Sequence, residues 1–355
     1  MNAPVLIMAG GTGGHIFPGL AVAQALRERG VPVAWMGAAG GMETRLVPAA
    51  GIDLHVLDIG GLRGKSLATL LAAPWRLLRA LSRAWTLLGR IRPRAVISFG
   101  GYAAGPGGLA AVLRRIPLLV HEQNRIAGTT NRILARYARR VLAGFPEVLP
   151  GSEWVGNPVR EEIAALPPPG QRLAGRSGAP RLLVVGGSLG AAVFNQMLPQ
   201  ALALMTPQQR PQVRHQCGRD QQDATRQAYA DAGVLAEVSE FIADMAEAWG
   251  WADLALCRSG ALTVAELASA GVASVLVPFP HAVDDHQSAN ARLLADHDAA
   301  VVLPQPQLGA DTLAETLTEL LHTPGRLPAM AQAARACARN DAAAQVADAC
   351  LEVAR

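Results

Sequence analysis

Short apolar runs alternate with longer segments of helical spacing along most of the chain. Continuous apolar runs of about four to eight residues are typical of buried parallel strands. In the first half they predict strands at 5–9, 31–36, 52–58, 95–99 and 117–121. Helical or glycine-rich segments separate these runs, and such an alternation predicts a parallel sheet with right-handed crossovers. The expected fold class is therefore α/β.

The second half repeats the opening unit of the chain. The chain opens with strand 5–9, a glycine-rich turn and a helix. After prolines and glycines between 156 and 170, which we interpret as a hinge, strand 181–185 leads into the glycine turn 186–190 and another helix. Further strands are predicted at 213–216, 252–256, 273–277 and 300–303, with helical segments from there to the end. Two Rossmann-like halves would face each other across a cleft, with ligands beyond the carboxyl ends of the strands.

Composition narrows the class of protein. At 355 residues, 50% of them hydrophobic, the chain is long enough for two domains and too apolar to be disordered. The cysteines are scattered without a C-x-x-C pair, which argues against a disulfide framework or a zinc site and fits a reducing compartment. No basic segment followed by an apolar one opens the sequence, so no secretory signal is expected. The longest uncharged stretch, 95–113, is rich in glycine, which argues against a transmembrane helix.

Basic residues concentrate in one part of the sequence, although the net charge is only +4. No carboxylate lies between Asp58 and Glu122. Within this stretch, 67–90 is amphipathic, with Trp75 and Trp85 in an apolar stripe and arginines opposite. The basic residues of the stretch are Arg63, Lys65, Arg76, Arg79, Arg83, Arg90, Arg92, Arg94, Arg114 and Arg115, and those at 63–94 are called the basic block below. A one-signed block suggests an anionic partner, whereas we expect Trp85 to pack on its own sheet.

Three familiar kinds of site do not fit the motifs. The opening G-G-T-G-G-H at 10–15 does not match G-x-G-x-x-G, and no acid follows strand 31–36 in place to bind a ribose, so NAD binding is disfavoured. The G-K-S within 60–66 lacks the first glycine of a P-loop at the required spacing. The acids and histidines at 284–286 and 296–298 fit a polar loop and a helix end better than metal ligands. No metal and no cofactor are expected.

Two glycine turns carry the candidate chemistry. His15 follows the first turn at the start of a helix, where a side chain meets a bound substrate or, alternatively, only solvent. A later turn at Gly260 also leads from a strand into a helix, so the amides of Leu262 and Thr263 are placed to meet a phosphate. Glu266, about one helical turn further on, suits sugar hydroxyls or, alternatively, complements the helix dipole.

Taken together, the motifs resemble one family closely and in order along nearly the whole chain. They are G-G-T-G-G-H at 10–15, G-G-Y-A-A-G-P-G-G at 100–108, H-E-Q-N at 121–124, G-N-P-V-R at 156–160, G-G-S at 186–188, C-R-S-G-A-L-T-V-A-E at 257–266 and H-Q at 286–287. The chain is identified as similar to the MurG family, bacterial glycosyltransferases that add N-acetylglucosamine (GlcNAc) to the lipid-linked muramyl-pentapeptide (lipid I, giving lipid II) of peptidoglycan synthesis. The resemblance implies a GT-B fold and a part in cell wall biogenesis, cell shape and cell division.

The resemblance also implies a separate function for each part of the chain. Residues 1–160 would bind the acceptor and face the membrane, 161–335 would bind the UDP-sugar, and 336–355 would form a helix returning to the first domain. In the donor site, Ile242 would pair with uracil through its backbone, Glu266 would hold the ribose hydroxyls, and Gln287 would contact the transferred sugar. The other residues it implies are Ser188, Ala261, Leu262, Thr263, Val264 and Ala265 for the donor, and Thr12, Gly13, Gly14, Asn124 and Arg160 from the first half.

An inverting displacement needs a base for the attacking 4-hydroxyl of the muramyl sugar, and His15 suits that role because imidazole titrates near neutral pH. Arg160 is a candidate cation for the leaving diphosphate. The substrates would be UDP-GlcNAc and lipid I. The basic block would bind an anionic membrane surface at the cytoplasmic face, as a peripheral protein, and other cell-wall or division proteins are further candidate partners. No nucleic acid is expected.

Two other functions fit the same two-domain plan. A UDP-N-acetylglucosamine 2-epimerase would need no lipid acceptor and would have no use for the basic block. A sugar-nucleotide-binding regulatory protein would bind the donor without turnover. Release of UDP with and without the lipid acceptor distinguishes the three.

Overall fold

The computed structural model describes residues 3–59, 73–187 and 190–354, which form two compact units. The first unit comprises 1–160 with 339–355, and the second comprises 161–338. Each unit is built on its own parallel sheet.

The first unit contains a seven-stranded sheet in the order β3-β2-β1-β4-β5-β6-β7. Its strands are β1 (Val5–Ala9), β2 (Val33–Ala38), β3 (Asp53–Leu57), β4 (Ala95–Gly100), β5 (Leu118–Glu122), β6 (Arg140–Ala143) and β7 (Glu153–Trp154). Its helices are α1 (Gly13–Glu28), α2 (Glu43–Ala49), α3 (Ala73–Ile91), α4 (Ala104–Leu113) and α5 (Thr129–Leu134). The strand order reverses between β1 and β4, which is where open α/β sheets bind ligands.

The second unit contains a six-stranded sheet in the order β10-β9-β8-β11-β12-β13. Its strands are β8 (Arg181–Val185), β9 (Gln212–Gln216), β10 (Glu237–Ser239), β11 (Leu254–Cys257), β12 (Ala273–Leu276) and β13 (Ala300–Val302). Its helices are α6 (Glu161–Ala164), α7 (Pro169–Arg172), α8 (Ala192–Leu204), α9 (Gln222–Asp231), α10 (Met245–Trp251), α11 (Ala261–Ala270), α12 (His286–Ala295), α13 (Ala310–His322) and α14 (Arg326–Ala336). The strand order reverses between β8 and β11, so the loops after these two strands lie at the switch point.

The last helix, α15 (Ala342–Val353), packs on the first unit. Val346 and Cys350 are fully buried in the same apolar cluster as Ile7 and Ile97 of the central strands. The end of the chain therefore completes the core beside α1.

The structure confirms the strands predicted from the apolar runs, with ends shifted by a few residues. The predictions omitted β6, β7 and β10. These strands are short, and polar or charged residues such as Arg140, Glu153 and Glu237 interrupt their apolar pattern. Within the described ranges, no helix is long and apolar enough to cross a bilayer.

The expectation that Trp85 packs on its own sheet is wrong. In α3 the buried positions are Ala80, Ala84 and Leu88, whereas Trp75 is 73% exposed and Trp85 is 42% exposed. The reason is the packing of α3 against α4, since Ala84 and Leu88 of α3 share one buried cluster with alanines of α4. The earlier part of that segment, including Arg63 and Lys65 of the basic block, lies outside the described residues.

Candidate active site

The glycine turn after β1 closes around a buried carboxylate. Glu43, at the start of α2, is fully buried, and its two oxygens accept hydrogen bonds from the backbone N–H of Ala38 at 2.9 Å and of Gly11 at 3.1 Å. A Cβ atom at Gly10 or Gly41 would collide with this carboxylate. Glu43, the acid that follows β2, therefore holds the glycine turn itself.

His15 lies in the first turn of α1, beside the carboxyl end of β4. Its Nδ1 is 3.2 Å from Oε1 of Gln123. Gly100, at the end of β4, has φ +97°, and a Cβ atom there would lie 3.3 Å from Cε1 of His15. The β4 glycine therefore lets the imidazole approach the backbone closely, and His15 is held at the switch point of the sheet.

The other first-half candidates surround the same end of α1. Thr12 is the N-cap of the helix with extended backbone angles and no side-chain cap, and Gly13 and Gly14 form the first turn. The guanidinium of Arg160 stacks on Phe17 of α1, 5.2 Å from the ring centre. Asn124 follows Gln123, the partner of His15, and its backbone N–H and side-chain amide both donate to Oε1 of Glu122. The structure thus brings together all the residues predicted in this unit.

In the second unit, the glycine turn after β8 is tied to the neighbouring strands through Gln216. The Gln216 amide accepts from Gly187 N at 3.0 Å and donates to Gly187 O at 2.9 Å and to Glu240 O at 2.8 Å. Glu240 directly precedes the Phe241-Ile242 segment, so one buried side chain positions both the turn and that segment. Ser188 lies outside the described residues.

Helix α11 begins in the loop after β11, with Gly260 as its N-cap. Ala261, Leu262 and Thr263 form its first turn, so their N–H groups have no partners within the helix. Val264 and Ala265 lead to Glu266, which is only 5% exposed and accepts a hydrogen bond from Trp249 Nε1 at 3.1 Å. Glu266 is therefore a buried, oriented acceptor that lies beyond the first turn of the helix.

Gln287, in the first turn of α12, is oriented by the chain after β12. Its Oε1 accepts from Phe279 N at 2.9 Å. Arg258 holds this segment in turn, because its guanidinium donates to the carbonyl oxygens of Val277 and Pro278 at 3.1 and 3.3 Å and lies against the ring of Phe279. Burial lowers the pKa of Arg258 from its ordinary value.

The side chains that position the site were missed by the sequence reasoning. The first glycine turn is held by Glu43, the second by Gln216, and Glu266 is held by Trp249. No spacing rule links these side chains to their partners. Gln123 did carry a signal, since it belongs to the H-E-Q-N motif from which only Asn124 was selected.

Two Rossmann-like parallel-sheet units, each with a glycine turn at its switch point, are the architecture of the GT-B fold, and the family matches below assign the chain to the glycosyltransferases. The chain belongs to glycosyltransferase family 28. The model of the family's N-terminal domain matches residues 5–143, and the model of its C-terminal domain matches residues 181–346.

Two curated relatives of this chain carry the same name, UDP-N-acetylglucosamine–N-acetylmuramyl-(pentapeptide) pyrophosphoryl-undecaprenol N-acetylglucosamine transferase. The protein from Bordetella petrii is 58% identical, with 100% of this chain and 99% of the relative covered. The one from Alkalilimnicola ehrlichii is also 58% identical, with 100% of each covered. Among solved structures, Acinetobacter baumannii MurG has a TM-score of 0.86 at 42% identity and covers 98% of this chain, which covers 99% of that one.

A putative UDP-N-acetylglucosamine 2-epimerase from Listeria monocytogenes shares the fold alone. It has a TM-score of 0.68 at 14% identity, and 98% of this chain and 95% of that chain are covered.

Proposed function

We propose that this chain transfers GlcNAc from UDP-GlcNAc to the 4-hydroxyl of the muramyl sugar in undecaprenyl-pyrophosphoryl-N-acetylmuramyl-pentapeptide. The observation that carries the proposal is the 58% identity, over the whole chain, to relatives named for this reaction. The arrangement of His15, a titratable imidazole at the switch point of the first sheet, supports it.

The first unit supplies the acceptor side of the reaction. Nε2 of His15 takes the proton from the attacking hydroxyl, whose oxygen displaces UDP from the anomeric carbon with inversion. Thr12, Gly13 and Gly14 offer N–H groups at the start of α1, where negative charge is stabilised. Asn124 and Arg160 lie around the same helix end and suit polar contacts to the sugar and to phosphate.

The second unit binds the donor. The first-turn amides of α11, from Ala261 to Thr263, bind the diphosphate and stabilise its charge as it leaves. Val264 and Ala265 continue this turn, Glu266 accepts hydrogen bonds from the ribose hydroxyls, and Ile242 contacts uracil through its backbone. Gln287 binds the transferred sugar, and Ser188 is a further candidate for a donor contact.

Lipid I places the acceptor at a membrane, and the exposed side of α3 suits that surface. Trp75 and Leu78 are 73% and 59% exposed, and exposed arginines flank them at Arg76 and Arg79. On α4, which packs against α3, Leu113 is 55% exposed. Tryptophan favours the membrane interface, and each basic residue near anionic lipid contributes roughly 1 kcal/mol. We propose peripheral binding to the cytoplasmic leaflet through this surface.

Sedimentation with lipid vesicles tests the surface. Arg76→Glu/Arg79→Glu should lower binding to anionic vesicles by roughly 30-fold or more, given about 1 kcal/mol for each arginine, and binding should weaken in high salt. The control is Arg219→Glu/Arg226→Glu in the second unit, which changes the net charge equally. Equal losses in the two double variants would contradict the assignment.

Release of UDP tests the reaction. UDP should appear from UDP-GlcNAc only when the lipid acceptor is present. Epimerised sugar nucleotide formed without acceptor would identify an epimerase instead, and donor binding without any turnover would identify a regulatory protein.

A further inference from the structure

Gln123 lies between two histidines and bonds to both. Its side chain is only 1% exposed. Its Oε1 is 3.2 Å from Nδ1 of His15, and its Nε2 is 3.3 Å from Nδ1 of His121 and 3.1 Å from the His121 carbonyl oxygen. The amide therefore connects an imidazole of the site to an imidazole in the core.

The protonation of His121 is set by its surroundings. Its Nε2 is 2.9 Å from the carbonyl oxygen of Gly156, which can only accept, so Nε2 carries a hydrogen. Burial lowers the pKa of His121 to about 4, so the ring is neutral at neutral pH. Nδ1 of His121 is then the unprotonated nitrogen, and it accepts a hydrogen bond from Nε2 of Gln123.

This contact decides which way the Gln123 amide faces. Because the amide nitrogen donates to His121, the amide oxygen faces His15. An amide oxygen only accepts, so Nδ1 of His15 is the donor in the 3.2 Å contact. In a neutral imidazole with its hydrogen on Nδ1, the lone pair that accepts a proton is on Nε2.

We propose that Gln123, oriented by His121, is a positioning residue that holds His15 in the Nδ1–H tautomer with Nε2 ready to act as the base. The inference rests on the proposed function of His15. The hydroxyl proton moves to Nε2, the hydroxyl oxygen bonds to the anomeric carbon, and the bond from that carbon to the diphosphate oxygen breaks with its electron pair leaving on UDP. The imidazolium that forms keeps its Nδ1–H bond to Oε1 of Gln123.

Steady-state kinetics distinguish a role of Gln123 in positioning His15 from a role in folding. Gln123→Met keeps the side-chain length but removes the acceptor, and we expect kcat to fall roughly 10- to 100-fold, a part of the 10²–10⁴ that a general base contributes. The KM for UDP-GlcNAc should change little, because the donor candidates lie in the second unit. Gln123→Glu still accepts from Nδ1 of His15 but no longer donates to His121, so it should recover only part of the kcat lost in Gln123→Met. Gln24→Met, on the exposed side of α1, is the matched control and should resemble wild type.

The tautomer can be read directly in the unaltered protein by NMR of ¹⁵N-labelled histidine, with the signals of His15 identified by their loss in His15→Gln. At a pH where the ring is neutral, the unprotonated nitrogen should be Nε2, and in Gln123→Met it should become Nδ1. An Nε2–H tautomer in wild type, or unchanged kcat in Gln123→Met, would overturn the inference. Failure of the proposed function is a separate result, namely full turnover in His15→Ala whatever the tautomer.

Discussion

Replacing Glu43 with glutamine tests whether its carboxylate holds the first glycine turn in place. In the wild-type chain its two oxygens accept from Ala38 N and Gly11 N inside a fully buried pocket. Glutamine keeps the shape but converts one acceptor into an NH₂ donor. One of the two backbone N–H groups then faces another donor and loses its partner.

The expected cost follows from the burial of these groups. A hydrogen bond to a charged group contributes roughly 1.5–3 kcal/mol, and a buried donor left without a partner costs about 1–3 kcal/mol. We therefore expect Glu43→Gln to lower the free energy of unfolding of the first unit by about 2 kcal/mol. For a domain of about 150–250 residues this corresponds to a fall in Tm of about 4–8 °C.

Hydrogen exchange at increasing urea concentrations provides the assay, because it reports the two units separately. Peptides covering β1 and β2 should lose protection at lower urea in Glu43→Gln, while those covering β8 and β11 should not. Glu28→Gln, an exposed substitution at the end of α1, is the control and should change stability by less than about 0.5 kcal/mol. Equal protection of β1 in the two variants would refute the role of Glu43.

Three further outcomes are expected. His121 has a folded-state pKa of about 4, below the unfolded value, so its contribution to stability is present above about pH 6.5 and is lost as pH falls towards 4. In urea unfolding, the free energy of unfolding should fall between pH 7 and pH 5 by about 2 kcal/mol less in His121→Asn than in wild type. An identical fall in the two proteins would show that His121 does not cause it. Trp249→Phe removes the indole donor to Glu266 and should weaken UDP binding by about 5- to 10-fold in calorimetry, consistent with the roughly 1 kcal/mol of one ordinary hydrogen bond. Unchanged affinity would show that Glu266 does not contribute to donor binding. Gly100→Ala places a Cβ against His15 at a positive φ and should lower kcat at least about tenfold in steady-state assays. An unchanged kcat would indicate that His15 has no role in the reaction.

Much of the sheet architecture was predictable from the sequence, because buried parallel strands are continuous apolar runs. The runs at 5–9 and 181–185 coincide with β1 and β8, and glycine turns follow both. The start of α11 was also predictable, since Gly260 separates an apolar strand from a helical pattern.

The orientation of α3 was not predictable from the pattern of large apolar residues. Helical spacing identified a stripe containing Trp75 and Trp85, but the core cluster shared with α4 takes Ala84 and Leu88 of α3. Tertiary packing therefore decided the buried face, and it left both tryptophans exposed.

The contacts that orient the candidate site residues join distant parts of the sequence. The partners of His15, Glu266 and Gly11 are Gln123, Trp249 and Glu43, and no local propensity or motif spacing relates the members of these pairs. A single sequence indicates which residues have suitable chemistry. Which tautomer, rotamer or backbone turn each adopts depends on the folded sheet.

The most direct test of the account follows labelled sugar in a single turnover. UDP-[¹⁴C]GlcNAc is mixed with saturating lipid acceptor and either wild-type protein or His15→Ala, and the label on lipid is measured over time. Wild type should transfer label to lipid, and His15→Ala should do so roughly 10²- to 10⁴-fold more slowly. Label that never reaches lipid, or equal rates in the two proteins, would contradict the account.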